Sequence, residues 1–168
     1  MFKKIAMSTS VLALALASSA ALAVPQTHDI EVVADIPSAD FYVQPVSVDT
    51  VTLPQTFIVD ASDPAAPEVK DMVLKFKAKS AAVGGSGNPA IMATLNGPTN
   101  MVSGANTINL DVKFNGVTLV NGIATSVVDA DGAVSEMNTD MEVSAVKPGG
   151  GYLEGNYRGN VNVTFDAP

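Results

Sequence analysis

The chain contains no cysteine and no tryptophan, and its only histidine is His28. Without cysteine it has no disulfides, no thiol nucleophile and no zinc–thiolate site. A single histidine and the absence of a Gly-x-Ser-x-Gly elbow leave no basis for Ser-His-Asp catalysis. The sequence therefore gives no positive evidence for an enzyme, and no cofactor or metal is expected. Stability must come from core burial or from association with another chain.

Long apolar runs are also missing, apart from one near the N-terminus. Lys3 and Lys4 precede the run Val11–Ala17, and small residues follow at Ala21-Leu22-Ala23. This order predicts a secretory signal peptide, residues 1–23, cleaved between Ala23 and Val24. A membrane anchor is the alternative, but the run is shorter than the roughly 20 residues that span a bilayer. We therefore expect export to the periplasm.

Positive charge is scarce in the mature chain. Removing 23 of 168 residues leaves 145, enough for a single domain with its own core. Nine basic residues less Lys3 and Lys4 leave seven against seventeen acidic residues, a net charge of −10. Such a surface repels nucleic acid and anionic membranes, so no nucleic-acid partner is expected.

Most of the mature chain consists of short segments with alternating apolar residues, separated by turn residues at roughly ten-residue intervals. The predicted strands are Phe41–Val48, Val51–Val59, Met72–Lys79, Ile91–Leu95, Ile108–Phe114, Val117–Leu119, Val127–Val128 and Met141–Ala145. Pro45 and Pro54 mark the first two as edge strands. No segment predicts a helix of three turns. The pattern predicts an antiparallel β-sandwich of immunoglobulin-like size.

Two turns between these segments carry specific signals. Asn115-Gly116 lies between alternating runs and predicts a β-hairpin. Asp129-Ala-Asp-Gly132 resembles the start of a calcium loop. However, Val134 stands where such a loop needs glycine, and Asp140 stands where it needs glutamate. We interpret this stretch as a hairpin turn.

The two ends of the mature chain show the clearest alternation. At the N-terminus Ile30, Val32, Ala34 and Ile36 form one apolar stripe that ends at Pro37. Such a segment is more commonly a first strand paired within its own sheet. At the C-terminus every odd position from Leu153 to Phe165 is apolar, aromatic or glycine. This predicts one unbroken strand of roughly 40 Å, which needs a partner along its whole length.

Three stretches together resemble a known family. They are His28–Pro37, with its alternating strand before proline, Asn109–Leu119, with the central hairpin, and Gly155–Phe165, with a Gly-x-Tyr-x-Gly-x-Val-x-Val pattern. In this order they resemble the major fimbrial subunits of the colonisation factor antigen type. These belong to the alpha class of chaperone–usher pilins, which includes cable pili.

The resemblance implies an incomplete immunoglobulin-like sandwich, residues 38–168, that lacks one strand. A periplasmic chaperone fills the groove first, and residues 24–37 of an identical subunit fill it in the fibre. An outer-membrane usher, a tip adhesin subunit and a host-cell receptor are the other implied partners, and surface fimbriae of a Gram-negative bacterium are the implied location. The implied donor residues are Ile30, Val32, Ala34 and Ile36. The implied acceptor-wall residues are Tyr157, Val161, Val163 and Phe165.

Two other classes of function remain as alternatives. One is a secreted β-sandwich module or tip adhesin that binds glycan. The mature length leaves no room for a separate lectin domain, and the chain has only three Tyr and six Phe for sugar stacking. The other is a periplasmic enzyme, which the missing nucleophile and base disfavour.

Overall fold

The computed structural model describes residues 40–63, 66–81 and 89–168. In these ranges the chain forms twelve strands and one short helix, and all strand pairs are antiparallel. The elements are β1 (Phe41–Pro45), α1 (Asp49–Thr52), β2 (Val59–Asp60), β3 (Glu68–Val69), β4 (Met72–Ser80), β5 (Ile91–Leu95), β6 (Asn100–Ser103), β7 (Asn106–Phe114), β8 (Val117–Thr118), β9 (Thr125–Val128), β10 (Met137–Ala145), β11 (Arg158–Gly159) and β12 (Val163–Asp166). The predicted all-β class is confirmed. No helix in these ranges is long and apolar enough to cross a membrane.

The strands form two main sheets. The larger sheet has seven strands in the order β1-β4-β10-β7-β6-β11, with β8 also paired to β7. The smaller sheet has the order β12-β5-β9, and β2 and β3 form a separate two-stranded ribbon. The long strands β4, β7 and β10 alternate between buried and more exposed residues, as one-sided burial requires.

The core lies between the two main sheets. The larger sheet contributes Phe76, Val112 and Phe114, and the smaller sheet contributes Ile91 and Leu95, all of them buried. The opposite face of the larger sheet is polar and carries cross-strand ion pairs. Among them, the Lys75 ammonium lies 2.8 Å from an Asp140 carboxylate oxygen. Because both partners are exposed, this pair contributes little to stability.

Several predicted elements are confirmed. β5 has the predicted bounds Ile91–Leu95. β7 and β8 form the predicted hairpin, with Asn115 at φ 50° and Gly116 at φ 76°. Positive φ at both central residues matches the strand twist of a two-residue hairpin, which is why Asn-Gly is favoured there.

The predicted strand Val51–Val59 is wrong. The chain forms helix α1 over Asp49–Thr52, and only Val59 of the predicted segment is in a strand. Asp49 in the first turn favours the helix N-terminus, because its charge opposes the helix dipole. Leu53 is extended because it precedes Pro54, which disfavours helical backbone at the preceding residue.

The turn Asp129–Gly132 is confirmed as a turn but does not form a hairpin. The Gly132 backbone N–H donates to the Asp129 side chain at 2.6 Å, which closes the turn. The strands on either side, β9 and β10, belong to different sheets. The segment therefore carries the chain from one layer of the sandwich to the other.

The single strand predicted from Leu153 to Phe165 is also wrong. β11 pairs with β6 in the larger sheet, whereas β12 pairs with β5 in the smaller sheet. Leu153 lies outside both strands and is 57% exposed. The alternation is real, but the chain changes sheet within it, between Gly159 and Val163.

Candidate subunit interface

The strand β12 forms one edge of the smaller sheet. It pairs with β5 in the register Val163 opposite Leu95 and Phe165 opposite Ala93. Within the described ranges no strand pairs with its other edge. Val163 and Phe165 pack against the core but are only partly buried. β12 therefore combines an unpaired backbone edge with apolar side chains that are incompletely covered.

The Phe165 ring joins this edge to the centre of the core. Its centroid lies 4.7 Å from that of Phe114 and 6.5 Å from that of Phe76. Phe76 and Phe114 are themselves 5.7 Å apart in an edge-to-face arrangement. Tilted and edge-to-face aromatic pairs at these distances are favourable beyond simple burial. Phe165 is the member of this trio that reaches the edge strand.

The polar side of β12 is held by Asn96, which follows β5. The Asn96 amide Nδ2 donates to Thr164 Oγ1 at 2.8 Å and to Asn162 Oδ1 at 3.1 Å. The Asn96 backbone N–H donates to the Asn162 carbonyl at 2.8 Å, which extends the pairing by one residue. These bonds fix which face of β12 is turned outward, and so they orient Val163 and Phe165 toward the core.

The structure brings three of the four predicted acceptor residues together. Val161, Val163 and Phe165 follow one another on the inward side and pack against the core. Tyr157 is placed differently, because it precedes β11 of the larger sheet, and its hydroxyl donates to the Leu153 carbonyl at 3.1 Å. The interface roles of all four residues stay predictions.

The remaining predicted site residues lie outside the described residues. These are the donor side chains Ile30, Val32, Ala34 and Ile36 and the cleavage pair Ala23 and Val24. Their roles also stay predictions.

A second edge of the core was not assigned a function from the sequence. β1 forms the end of the larger sheet, and its residues Phe41 and Val43 are partly buried and pack against the same core. The sequence signal for this edge is Pro45. It indicates that β1 is an edge strand, but it does not show whether a partner strand binds at β1 or at another edge. Both sheets thus have an edge strand whose inward side chains are incompletely covered.

Glu136 connects β1 and β4 on the outer face of the larger sheet. Its carboxylate accepts from the Tyr42 hydroxyl at 2.6 Å and from the Lys77 ammonium at 2.9 Å. These hydrogen bonds hold the pKa of Glu136 below its ordinary value of 4.5. The same bond to Glu136 raises the pKa of Tyr42 above 10.0. This cluster ties the edge strand to its neighbours through charge-assisted bonds.

The described part of the chain contains no group of three or more histidine, cysteine or acidic side chains that could hold a metal ion. What the described geometry offers is an apolar sheet edge. Such an edge can bind an added strand by main-chain hydrogen bonds and side-chain burial.

Comparison with known proteins identifies the family. No curated protein sequence is similar enough to count as a match. Among solved structures, the fold resembles the crystal structure of the P pilus rod subunit PapA. The TM-score is 0.43 at 18% identity, covering 85% of this chain and 100% of that chain.

The family described as CS1 type fimbrial major subunit matches residues 26–166. This range covers the predicted mature chain except for two residues at each end. Members of such a family are structural rather than catalytic, polymerise with identical subunits and reach the cell surface through the periplasm. The chain therefore belongs to the CS1 type fimbrial major subunits and is a structural subunit of a fimbria.

Proposed function

We propose that this chain forms the shaft of an adhesive fimbria by donor-strand complementation, after secretion by a chaperone and an usher. In the fibre, residues 24–37 of one subunit add a strand to the free edge of β12 in the next. A periplasmic chaperone occupies the same edge before assembly. A tip adhesin subunit ends the fibre and contacts the host cell.

The observation that carries this proposal is the state of β12. Its backbone is unpaired on one side within the described ranges, and Val163 and Phe165 are only partly buried there. A strand added at this edge would pair with the backbone and cover both side chains. This is how β-augmentation combines affinity with selectivity.

The predicted donor segment has the matching chemistry. Ile30, Val32, Ala34 and Ile36 present apolar side chains at every second position. Burying three Ile or Val side chains contributes on the order of 5–9 kcal/mol before ordering entropy is subtracted. That is comparable with the whole stability of a small domain. A cysteine-free subunit can therefore obtain missing stability from its neighbour.

Because the chain changes sheet between β11 and β12, the proposed contact between subunits is shorter than a single unbroken strand would give. The paired part of the smaller-sheet edge runs from Asn162 to Asp166, with Val161 just before it. Five residues of strand span about 16 Å, well below the roughly 40 Å expected from an unbroken strand. An edge of this length accommodates about three alternating donor side chains.

The proposed strand exchange also explains why the subunits form a filament. The donor segment and the β12 edge are different surfaces, so each subunit uses one to give and the other to receive. A contact of this kind that does not close on itself produces an open, growing assembly.

Circular permutation tests the proposal. One form of the mature chain keeps its natural order, and the other carries Thr27–Ile36 moved to the C-terminus through a flexible linker. We expect the permuted form to be monomeric and more stable to heat, because its own donor strand occupies its own edge. Sedimentation and thermal unfolding measure both properties.

A permuted form with Ile30→Asp is the matched control and should lose the added stability. If the permuted form is no more stable and no more monomeric than the natural order, strand donation to this edge is ruled out.

A further inference from the structure

The smaller sheet has a second edge at β9, on the side of β5 opposite β12. In the order β12-β5-β9 only β5 pairs with β9, so within the described ranges no strand pairs with the other side of β9. Unpaired main-chain groups on an edge are a template onto which another strand can add. An added strand therefore has two edges of this sheet open to it, unless one of them is blocked.

The surface beside β9 resembles the surface at β12. A cleft of about 480 Å³ lies against β9 and is lined in part by Val117 and Met137. Both side chains pack against the core but are only partly buried. β9 thus combines an unpaired backbone edge with apolar neighbours that are incompletely covered. Apolar surface alone does not distinguish the two edges.

The two edges differ in one contact to the backbone. The Asn115 amide Nδ2 donates to the Val127 carbonyl, within β9, at 2.8 Å. Asn115 lies in the β7–β8 hairpin of the larger sheet, so this bond runs from one sheet to the edge strand of the other. In the described part of the chain, no side chain forms such a bond to a main-chain group of β12. The β9 edge therefore has an acceptor that is already occupied.

The turn itself does not require an amide at this position. Asn115 has φ 50°, and its backbone N–H donates to the Asp140 carbonyl at 2.9 Å, which holds the hairpin against β10. Aspartate and glycine are also favoured in a two-residue hairpin with positive φ. Neither can donate from a side chain at neutral pH, because an ionised carboxylate only accepts and glycine has no side chain. The choice of asparagine thus adds the bond to β9 to what the turn needs.

We propose that Asn115 blocks the β9 edge and so directs strand addition to β12. Its amide occupies the Val127 carbonyl, as natural proteins protect exposed edges from unwanted pairing. This role rests on the proposed function for the identity of the added strand. The blocking contact itself lies within one subunit. Asn115 is therefore a residue that determines the specificity of assembly.

Cross-linking of a donor peptide tests this role, since the chain has no cysteine of its own. The peptide consists of residues 24–37 with Glu31→Cys. The mature chain carries one cysteine, either Ser126→Cys on β9 or Thr164→Cys on β12, and both positions are exposed. A bis-maleimide joins peptide and subunit, and mass spectrometry measures the yield. Each reporter is studied with Asn115 unchanged and with Asn115→Asp.

We expect Asn115→Asp to raise the yield at Ser126 roughly tenfold, which is near the upper limit for the loss of one hydrogen bond. The yield at Thr164 should not change. Asn115→Gly, which also suits the turn, should give the same result and shows that the effect does not come from a folding defect of one variant. Asn121→Asp is the matched control, because it makes the same change of residue and charge in a second Asn-Gly pair. It should leave both yields unchanged.

A yield at Ser126 that is the same with and without the Asn115 amide overturns the proposed role of Asn115. A yield at Ser126 as high as that at Thr164 in the unchanged chain overturns it as well. Strand donation has its own readout, because a missing cross-link at Thr164 in the unchanged chain contradicts the proposed function whatever happens at Ser126. The two proposals can therefore fail separately.

Discussion

Phe165 links the last strand to the centre of the molecule. Its ring packs on Phe114, which is fully buried, and near Phe76 in the opposite sheet. The residue is partly exposed because β12 is an edge strand. One side chain therefore contributes both to the stability of the subunit and to the surface proposed to receive a donor strand.

Phe165→Ala should lower the free energy of unfolding of the permuted monomer by about 2–3 kcal/mol, less than for a fully buried phenylalanine. The loss comes from ring contacts and from the cavity beside Phe114. Urea denaturation measures it. Asp166→Asn, on the outward face, is the control and should change stability by less than about 0.5 kcal/mol. Equal effects of the two changes would contradict a packing role for Phe165.

The Glu136 carboxylate makes the stability of the fold depend on pH. Hydrogen bonds from Tyr42 and Lys77 lower its pKa, so the folded state favours the carboxylate. A group with a lowered folded-state pKa stabilises the fold above its unfolded pKa and loses this effect as pH falls through the folded value. The contribution is therefore present at neutral pH and declines below about pH 4.5.

Glu136→Gln should reduce thermal stability at pH 7, and its difference from the unchanged chain should shrink as pH falls from 5 to 3. Asp131→Asn makes the same change in net charge on the neighbouring turn and serves as control. Thermal unfolding of both across this pH range is the measurement. A difference that stays constant with pH would show that the Glu136 carboxylate has no such role.

At the scale of secondary-structure elements, the feature that sets the length of the proposed interface is the change of sheet between β11 and β12. β11 lies against β6, with Gly159 opposite Met101. A Cβ at Gly159 would overlap the carbonyl oxygen of Asn100, so the two backbones approach too closely for any side chain. Gly159 thus permits the pairing that holds β11 in the larger sheet.

Gly159→Ala should separate β11 from β6 and lower stability by more than 1 kcal/mol, in the range of core overpacking. Hydrogen exchange at the Val102 amide, which faces β11, should accelerate as well. Gly150→Ala is the matched control, because a Cβ there meets no atom within 4 Å. Unchanged stability and exchange in Gly159→Ala would show that β6 and β11 tolerate a wider spacing.

The same region shows where sequence reasoning stops. The alternation from Tyr157 to Phe165 correctly indicates which side chains face inward at Val161, Val163 and Phe165. It cannot show that the backbone exchanges one sheet for another, because period two is the same in both. The prediction of a strand over Val51–Val59 is wrong for a related reason. Its β-branched residues favour a strand, but the local geometry around Asp49 and Pro54 favours a helix followed by extended chain.

At the scale of the whole molecule, the subunit works by polymerising with copies of itself. Family membership establishes a fimbrial subunit that polymerises with identical chains. The β12 edge is an incompletely covered apolar surface on an acidic chain. We propose that this edge links subunits through an exchanged strand.

Ile30→Asp or Val32→Asp should abolish fibres on the cell surface, because a charged side chain cannot enter an apolar groove without a large desolvation penalty. Under the proposed function the subunit should still fold and bind the proposed chaperone, since Ile30 and Val32 belong to the predicted donor segment. Electron microscopy of cells and co-purification with the chaperone measure the two effects. Glu31→Gln, on the opposite side of the segment, is the control and should leave fibres intact. Normal fibres with Ile30→Asp would overturn strand donation.

The sequence by itself determined the all-β class, the Asn115-Gly116 hairpin, the inward residues of β12 and the family resemblance. These depend on local periodicity and backbone preference, which are present in any short window of the chain. Only the tertiary structure decided that β11 and β12 belong to different sheets and that Tyr157 lies apart from Phe165. It also decided that β12 lies at an edge of the smaller sheet, with one side unpaired in the described residues. Sheet membership and edges depend on which distant segments pair, and that choice is made by packing across the whole domain.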